Sequence, residues 1–160
     1  MTHKIVTVKP DYHYYGTEVP FDKSLMQIQS LLIKHKCSRI APMQDYRGEV
    51  PLHTLFFEKD GLPYMIEFPI VYVEKSTGNQ YSPKKKELRM NISGRVIHDR
   101  VKALLIECEF GLWDFQQAMM QYLMIKGPDG CTQALQDYIQ ENRSSIPTGQ
   151  IFDTSRQLNK

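Results

Sequence analysis

The residues best suited to chemistry are seven cations crowded between positions 84 and 102: Lys84, Lys85, Lys86, Arg89, Arg95, Arg100 and Lys102. Only Glu87 and Asp99 oppose them. Lysines neutralise phosphates and release their counterions, arginines fork onto phosphate oxygens, and Tyr81 just upstream can stack on an unpaired base. The pattern points to an interface for nucleic acid, DNA or RNA. This segment carries a local balance of +5 in a chain of net charge +2, so the remainder carries −3. Between Glu107 and Glu141 six acids face one base, Lys126. Such blocks steer an acidic partner to one side. The same charges also read as a solvated loop leading into a soluble helix, and a pI near 8.4 falls short of a strongly basic nucleic-acid-binding domain.

Other constellations are thinner. The candidate metal ligands are His3, His13, His35, Cys37, His53 and His98. Only His35 and Cys37 are close, and two positions apart on a helix they point to different faces. With no His-x-x-x-His and no Cys-x-x-Cys, no metal and no cofactor is expected. A nucleophile would need Cys108 or Cys131 beside a histidine. Cys108 lies on an apolar helical face, where cysteine behaves as a small hydrophobe, and His98 is nearly three turns away. Glu107 and Glu109 diverge by about 200° on a helix. No glycine-rich phosphate loop is present, so no catalytic residue is assigned and no enzyme is expected. Met26, Met119, Met120 and Met124, with Tyr122 and Trp113, offer an adaptable apolar surface or ordinary core filling. Met119 is expected in the core, and Met120, Met124 and Trp113 at an interface with a second copy or another protein.

These residues need elements to position them. The central one is the stretch Ser93 to Gly111. Ile97, Val101, Leu104, Leu105 and Cys108 share one helical face, with Arg95, Asp99, Lys102 and Glu109 roughly opposite. Ser93 is the expected N-cap and Gly111 the terminating residue. Before it, Lys4 to Val8 alternates as a short edge strand. Asp22 caps a helix that buries Leu25, Ile28, Leu31, Leu32 and Ile33, and Lys34, His35 and Lys36 suit its last turn. Strands follow at Arg39–Pro42, Leu52–Glu58, Tyr64–Val73 and Leu88–Asn91. Asp60-Gly61 turns the second into the third as an antiparallel hairpin, and Pro69 splits the third or demotes part of it to an edge. Glu74 to Glu87 has no periodicity and reads as a long loop. Asp114 and Gln117 resemble a capping box opening a second helix through Phe115, Ala118, Met119, Tyr122 and Leu123. Thr132 caps a short third helix with Ala134, Leu135, Tyr138 and Ile139 inward.

At 160 residues, with globular proportions of apolar and charged residues, the chain is expected to form one domain over 1–141 with a polar tail at 142–160. No apolar run reaches 18 residues and no basic-then-apolar leader opens the chain, so neither a membrane span nor a secretory signal is expected. Three cysteines without paired spacing suit reduced thiols and a cytoplasmic location. The fold class is α+β: an antiparallel sheet of about four to five strands packed on one face by helices. The order β-α-β-β-β-β-α is compatible with half of a TATA-binding-protein-like saddle, an analogy of fold that carries no function.

The run Lys102-Ala103-x-Leu105-x-x-Cys108-Glu109-x-Gly111-x-x-x-Phe115, with Tyr122-Leu123 and Pro128-Asp129-Gly130, resembles a family of small uncharacterised proteins of phages, prophages and mobile elements. Arg95 looks like that family's arginine seven positions before the lysine. Val19 to Ser24, Ile28 and Leu31-Leu32 are similar to its opening helix, and Asp60-Gly61 with Phe68-Pro69 to its central hairpin. The likeness covers most of residues 18–136. Departures are Cys108 in an aliphatic position, His98-Asp99 in a region normally apolar, and the loop from Glu74 to Glu87. The resemblance implies a viral or mobile-element context and no particular chemistry. The functional expectation is therefore a non-enzymatic binding module for nucleic acid, with a protein-interaction or self-association module as the alternative.

Overall fold

The computed structural model describes residues 4–74, 86–126 and 132–141. It is an α+β structure with four helices, two of them long, and three small sheets among those residues. The expected single sheet of four to five strands is divided, so the continuous platform a half-saddle needs is not formed there.

The first sheet is β1 (Ile5–Val8), β5 (Ile70–Glu74) and β6 (Lys86–Leu88), in the order β1-β5-β6. β1 is an edge, as its sequence suggested, but it pairs in parallel with β5, Ile5 opposite Ile70 and Val8 opposite Val73. The second sheet is a meander of β2 (Ser38–Asp45), β3 (Leu52–Lys59) and β4 (Leu62–Glu67). β2 is an edge, which is where a strand tolerates Pro42 with no N–H to donate. Asp60 and Gly61 join β3 to β4 with φ of 53° and 78°, the two positive values a tight two-residue hairpin turn demands. Phe68-Pro69 then carries the chain from one sheet to the other. Pro69 thus splits the expected Tyr64–Val73 strand into pieces with different partners, and the Phe68 amide donates to the His53 carbonyl at 3.0 Å.

α1 spans Phe21–Lys34 and α2 spans Met90–Glu109. Neither begins as its sequence suggested. Asp22 sits in the first turn of α1 behind Pro20, and Ser93 lies inside α2 rather than capping it. The reason is packing: a Cβ on Gly94 would stand 3.0 Å from Phe21 Cδ2 and 3.1 Å from Ser24 Cβ. Ser24, Ser93 and Gly94 are buried small residues that let the two helices approach closely. Residues 90–91, expected as strand, become the first turn of α2. Gly111, at φ 73°, ends α2 as expected: its N–H reaches Cys108 O at 3.0 Å and the Leu112 N–H reaches Glu107 O at 3.1 Å. Lys36, at φ 61°, closes α1 with the same paired bonds, to Ile33 O and Leu32 O.

The main core lies between the meander and the two long helices. Leu55, Phe57, Tyr64 and Ile66 meet Ile28 and Leu32 of α1 and Ile97, Val101 and Leu105 of α2. A second cluster joins Val8, Val71 and Val73 to Ile92. Helices therefore cover one face of the meander; the other borders a 410 Å³ cavity lined by Met43, Phe56 and Met65.

The C-terminal third departs most from expectation. Asp114 and Gln117 form a full capping box, yet α3 is only Phe115–Ala118. A 3₁₀ turn over Met120–Tyr122 follows, and then β7 (Met124–Lys126). Leu123 bridges to Tyr64 and gives the outer edge of β4 a partner, which pulls the chain out of helical geometry. β7 pairs with β8 (Thr132–Ala134), so Thr132 is a strand residue and not a cap, and α4 begins at Leu135. Ile139, expected inward, is exposed.

Candidate functional site

Packed side by side through Ser24 and Gly94, α1 and α2 leave an open groove of about 630 Å³. From α1 it is lined by Lys23, Met26, Gln27, Ser30, Leu31 and Lys34, one stripe at i, i+3, i+4 spacing. From α2 it is lined by Arg95, His98 and Lys102, successive turns of one face. Lys23 and Lys34 are eleven residues apart, about 16 Å along the helix.

Four cations thus stand around one concavity. Arg95 is fixed: one guanidinium nitrogen lies 2.9 Å from Asp99 Oδ1, and the other donates to Gln27 Oε1 at 3.3 Å. Asp99 also receives the Tyr14 hydroxyl at 3.0 Å and lies 2.6 Å from His98 Nδ1. Burial alone would push the Asp99 carboxyl up. Hydrogen bonds from His98 and Tyr14, with the Arg95 charge, outweigh it and hold the group below the usual carboxylate range. Burial, and the bond to that carboxylate, push the Tyr14 phenol up. At the far end Lys34 meets Glu109 at 2.8 Å, and His35 Nε2 lies 3.3 Å from the same oxygen. The Lys34 hydrogen bond holds the Glu109 carboxyl low. Lys23 and Lys102 are exposed and make no ion pair among the described residues.

Of the seven cations expected to act together, the structure brings only Arg95 and Lys102 into this groove. Arg89 precedes α2, half-buried, with Nε on Asn91 Oδ1 at 3.2 Å. Arg100 projects from another face of α2, hydrogen-bonded to Gln121, its guanidinium 5.9 Å from the Tyr122 ring centroid. Lys86 is exposed on the edge strand β6. Tyr81, Lys84 and Lys85 lie outside the described residues. Lys23 and Lys34 were missed because spacing can show that they share a stripe, not that the stripe faces α2.

The expected apolar interface also changes. Met124 is 6% exposed and belongs to the core, since β7 turns it inward. Met119 is buried as expected, while Met120 is 46% and Trp113 53% exposed. Phe110 and Leu112, at 80% and 67%, are more exposed than either. Their signal was legible: Phe110, Leu112 and Trp113 are consecutive bulky residues around a helix-ending glycine, where no periodicity can bury them all.

Nothing else among the described residues gathers chemistry. No three His, Cys, Asp or Glu residues are grouped to hold a metal ion. Burial pushes the Cys37 thiol up to about 11 and the Cys108 thiol also upward, the reverse of what a nucleophile needs. Cys131 lies outside the described residues. No helix is long and apolar enough to cross a membrane among those residues. Comparison with protein-family models, with curated proteins and with solved structures finds no match to this chain.

Proposed function

We propose that this protein is a non-enzymatic binding module, of phage or mobile-element type, that holds nucleic acid by its phosphates in the groove between α1 and α2. One observation carries the reading: Arg95, held by Asp99 and Gln27, stands among Lys23, Lys34 and Lys102, four donors of positive charge around one open concavity. A guanidinium already oriented loses little freedom when it meets a phosphate, and exposed amines add counterion release. The test is a salt series. Lys23 and Lys102 are unpaired among the described residues while Arg95 and Lys34 already face carboxylates, so binding gives a log–log slope of about −1.5 to −4, and Lys23→Ala, Lys34→Ala and Lys102→Ala together cut its magnitude by about 1.5 to 3. The same substitutions at Lys84, Lys85 and Lys86 separate the groove from the upstream lysine run. Absence of binding at low salt overturns the reading.

A second reading rests on a different observation. Phe110, Leu112 and Trp113 are exposed around the end of α2 and Met120 is exposed in the 3₁₀ turn after α3, and exposed bulky apolar residues, where they adjoin, mark association surfaces. Self-association here is insensitive to salt and broken by Met120→Lys or Trp113→Lys, read by sedimentation.

A further inference from the structure

The groove's lining says which nucleic acid fits it. We propose that its ligand is single-stranded RNA, with His98 contacting a ribose 2′-hydroxyl; this rests on the reading above that the groove binds phosphates. The strand class follows from shape. A protein reads duplex DNA by pushing a helix or ribbon into a major groove about 12 Å wide, and holds duplex RNA by a protruding surface that spans successive minor grooves. Here the binding surface is instead a furrow between two contacting helices, whose axes stand about 8–10 Å apart, wide enough for one strand.

The sugar follows from a count of donors and acceptors. Lys23, Lys34, Arg95 and Lys102 only donate, which suits phosphate oxygens. Gln27 Oε1 is occupied by Arg95, and Ser30 Oγ, exposed to water, spends its proton on the Met26 carbonyl at 2.9 Å and keeps only weak hydroxyl lone pairs. His98 is different. Its side chain is 9% exposed, and its Nδ1 faces the Asp99 carboxylate, so in the neutral ring the proton sits on Nδ1 and Nε2 is an acceptor. The sealed, unpartnered side-chain polar atoms of the described residues are Ser24 Oγ, Ser93 Oγ and Tyr122 OH. Nε2 is not one of them, so it opens on the groove that His98 lines. An acceptor that opens on the groove can take a hydroxyl donor from the ligand in place of water, and a phosphodiester has none; along the backbone that the cations hold, the ribose 2′-hydroxyl is that donor, present in RNA and absent from DNA. Position agrees: His98 follows Arg95 by three residues and precedes Lys102 by four, about one turn from each, where a sugar lies between two phosphates held by those cations.

The test is fluorescence anisotropy on the full chain at low salt. Four probes of one sequence are used: an octanucleotide of RNA, of DNA and of 2′-O-methyl RNA, and the RNA duplex. The expected result is RNA bound about three- to tenfold more tightly than DNA or the 2′-O-methyl strand, the range of one hydrogen bond, with the duplex weakest. His98→Phe brings RNA down to the DNA affinity, and Arg95→Gln weakens every probe. Equal affinity for RNA, DNA and 2′-O-methyl RNA overturns the assignment of His98 while leaving phosphate binding intact. A duplex bound as well as the strand overturns the strand class. No binding of any probe overturns the groove reading itself. If His98→Phe does not fold, the wild-type comparison of the three single strands still decides.

Discussion

Arg95 and Asp99, one turn apart on α2, place guanidinium nitrogen and carboxylate oxygen 2.9 Å from each other at the wall of the α1–α2 groove. Both are only partly buried, so the pair by itself stabilises little. Its effect is positional: Asp99 gathers Arg95, His98 and Tyr14 around one carboxylate and so joins the groove to the segment after β1.

Asp99→Asn should therefore lower stability by about 1–2 kcal/mol at neutral pH, the range of hydrogen bonds to a charged group discounted for partial exposure. Because the folded carboxyl titrates lower than the unfolded one, its contribution is present above the unfolded value near 3.9 and is lost as pH falls through the folded value. Urea denaturation between pH 2 and 7 should show the wild type losing more stability than Asp99→Asn across the acid end of that range.

Gly94→Val should destabilise by about 1–3 kcal/mol, because even its Cβ meets Phe21 and Ser24 at 3.0 and 3.1 Å and two further methyls must displace them. Gly94→Ala sets a helix-propensity gain of about 1 kcal/mol against the same contacts and should fall near neutrality. Thermal melts of the two variants check this; a Gly94→Val protein as stable as the wild type would exclude close packing of α1 on α2.

Met124→Lys should cost about 2–5 kcal/mol or prevent folding, since it buries a charge in the strand beside Leu123. Met120→Lys should leave stability within about 0.5 kcal/mol, as expected of an exposed position. Chemical denaturation distinguishes the pair, and equal losses would contradict the strand assignment of Met124.

The Cys37 thiol, raised to about 11 by burial, should alkylate slowly at pH 8 in the native protein and at the ordinary rate in urea. Peptide mapping after timed iodoacetamide treatment separates it from the other cysteines. Native labelling as fast as unfolded labelling would show the thiol to be open.

The hairpin at Asp60-Gly61, the end of α2 at Gly111, the capping box at Asp114 and Gln117 and most of the buried stripes of both long helices were legible in the chain. Each depends on residues a few positions apart, so local conformational preference and periodicity suffice to specify it. Ile33, expected inward with Leu32, is 64% exposed, because the residue after Leu32 turns about 100° away from the core. Tertiary structure alone decided the rest. Ser24, Ser93 and Gly94 look like caps or helix weak points until α1 and α2 are seen to need small residues where they cross. Residues 119–124 carry a helical pattern, but the unpaired edge of β4 offered Leu123 a backbone partner and ended the helix after one turn. The separation of the first sheet from the meander follows from the parallel pairing of β1 with β5, a contact between segments some sixty-five residues apart that no local pattern encodes. The groove is of the same kind: Arg95 and Lys102 announced themselves by charge, but their partners Lys23 and Lys34 were indistinguishable from solvated helix residues until packing set the two helices side by side.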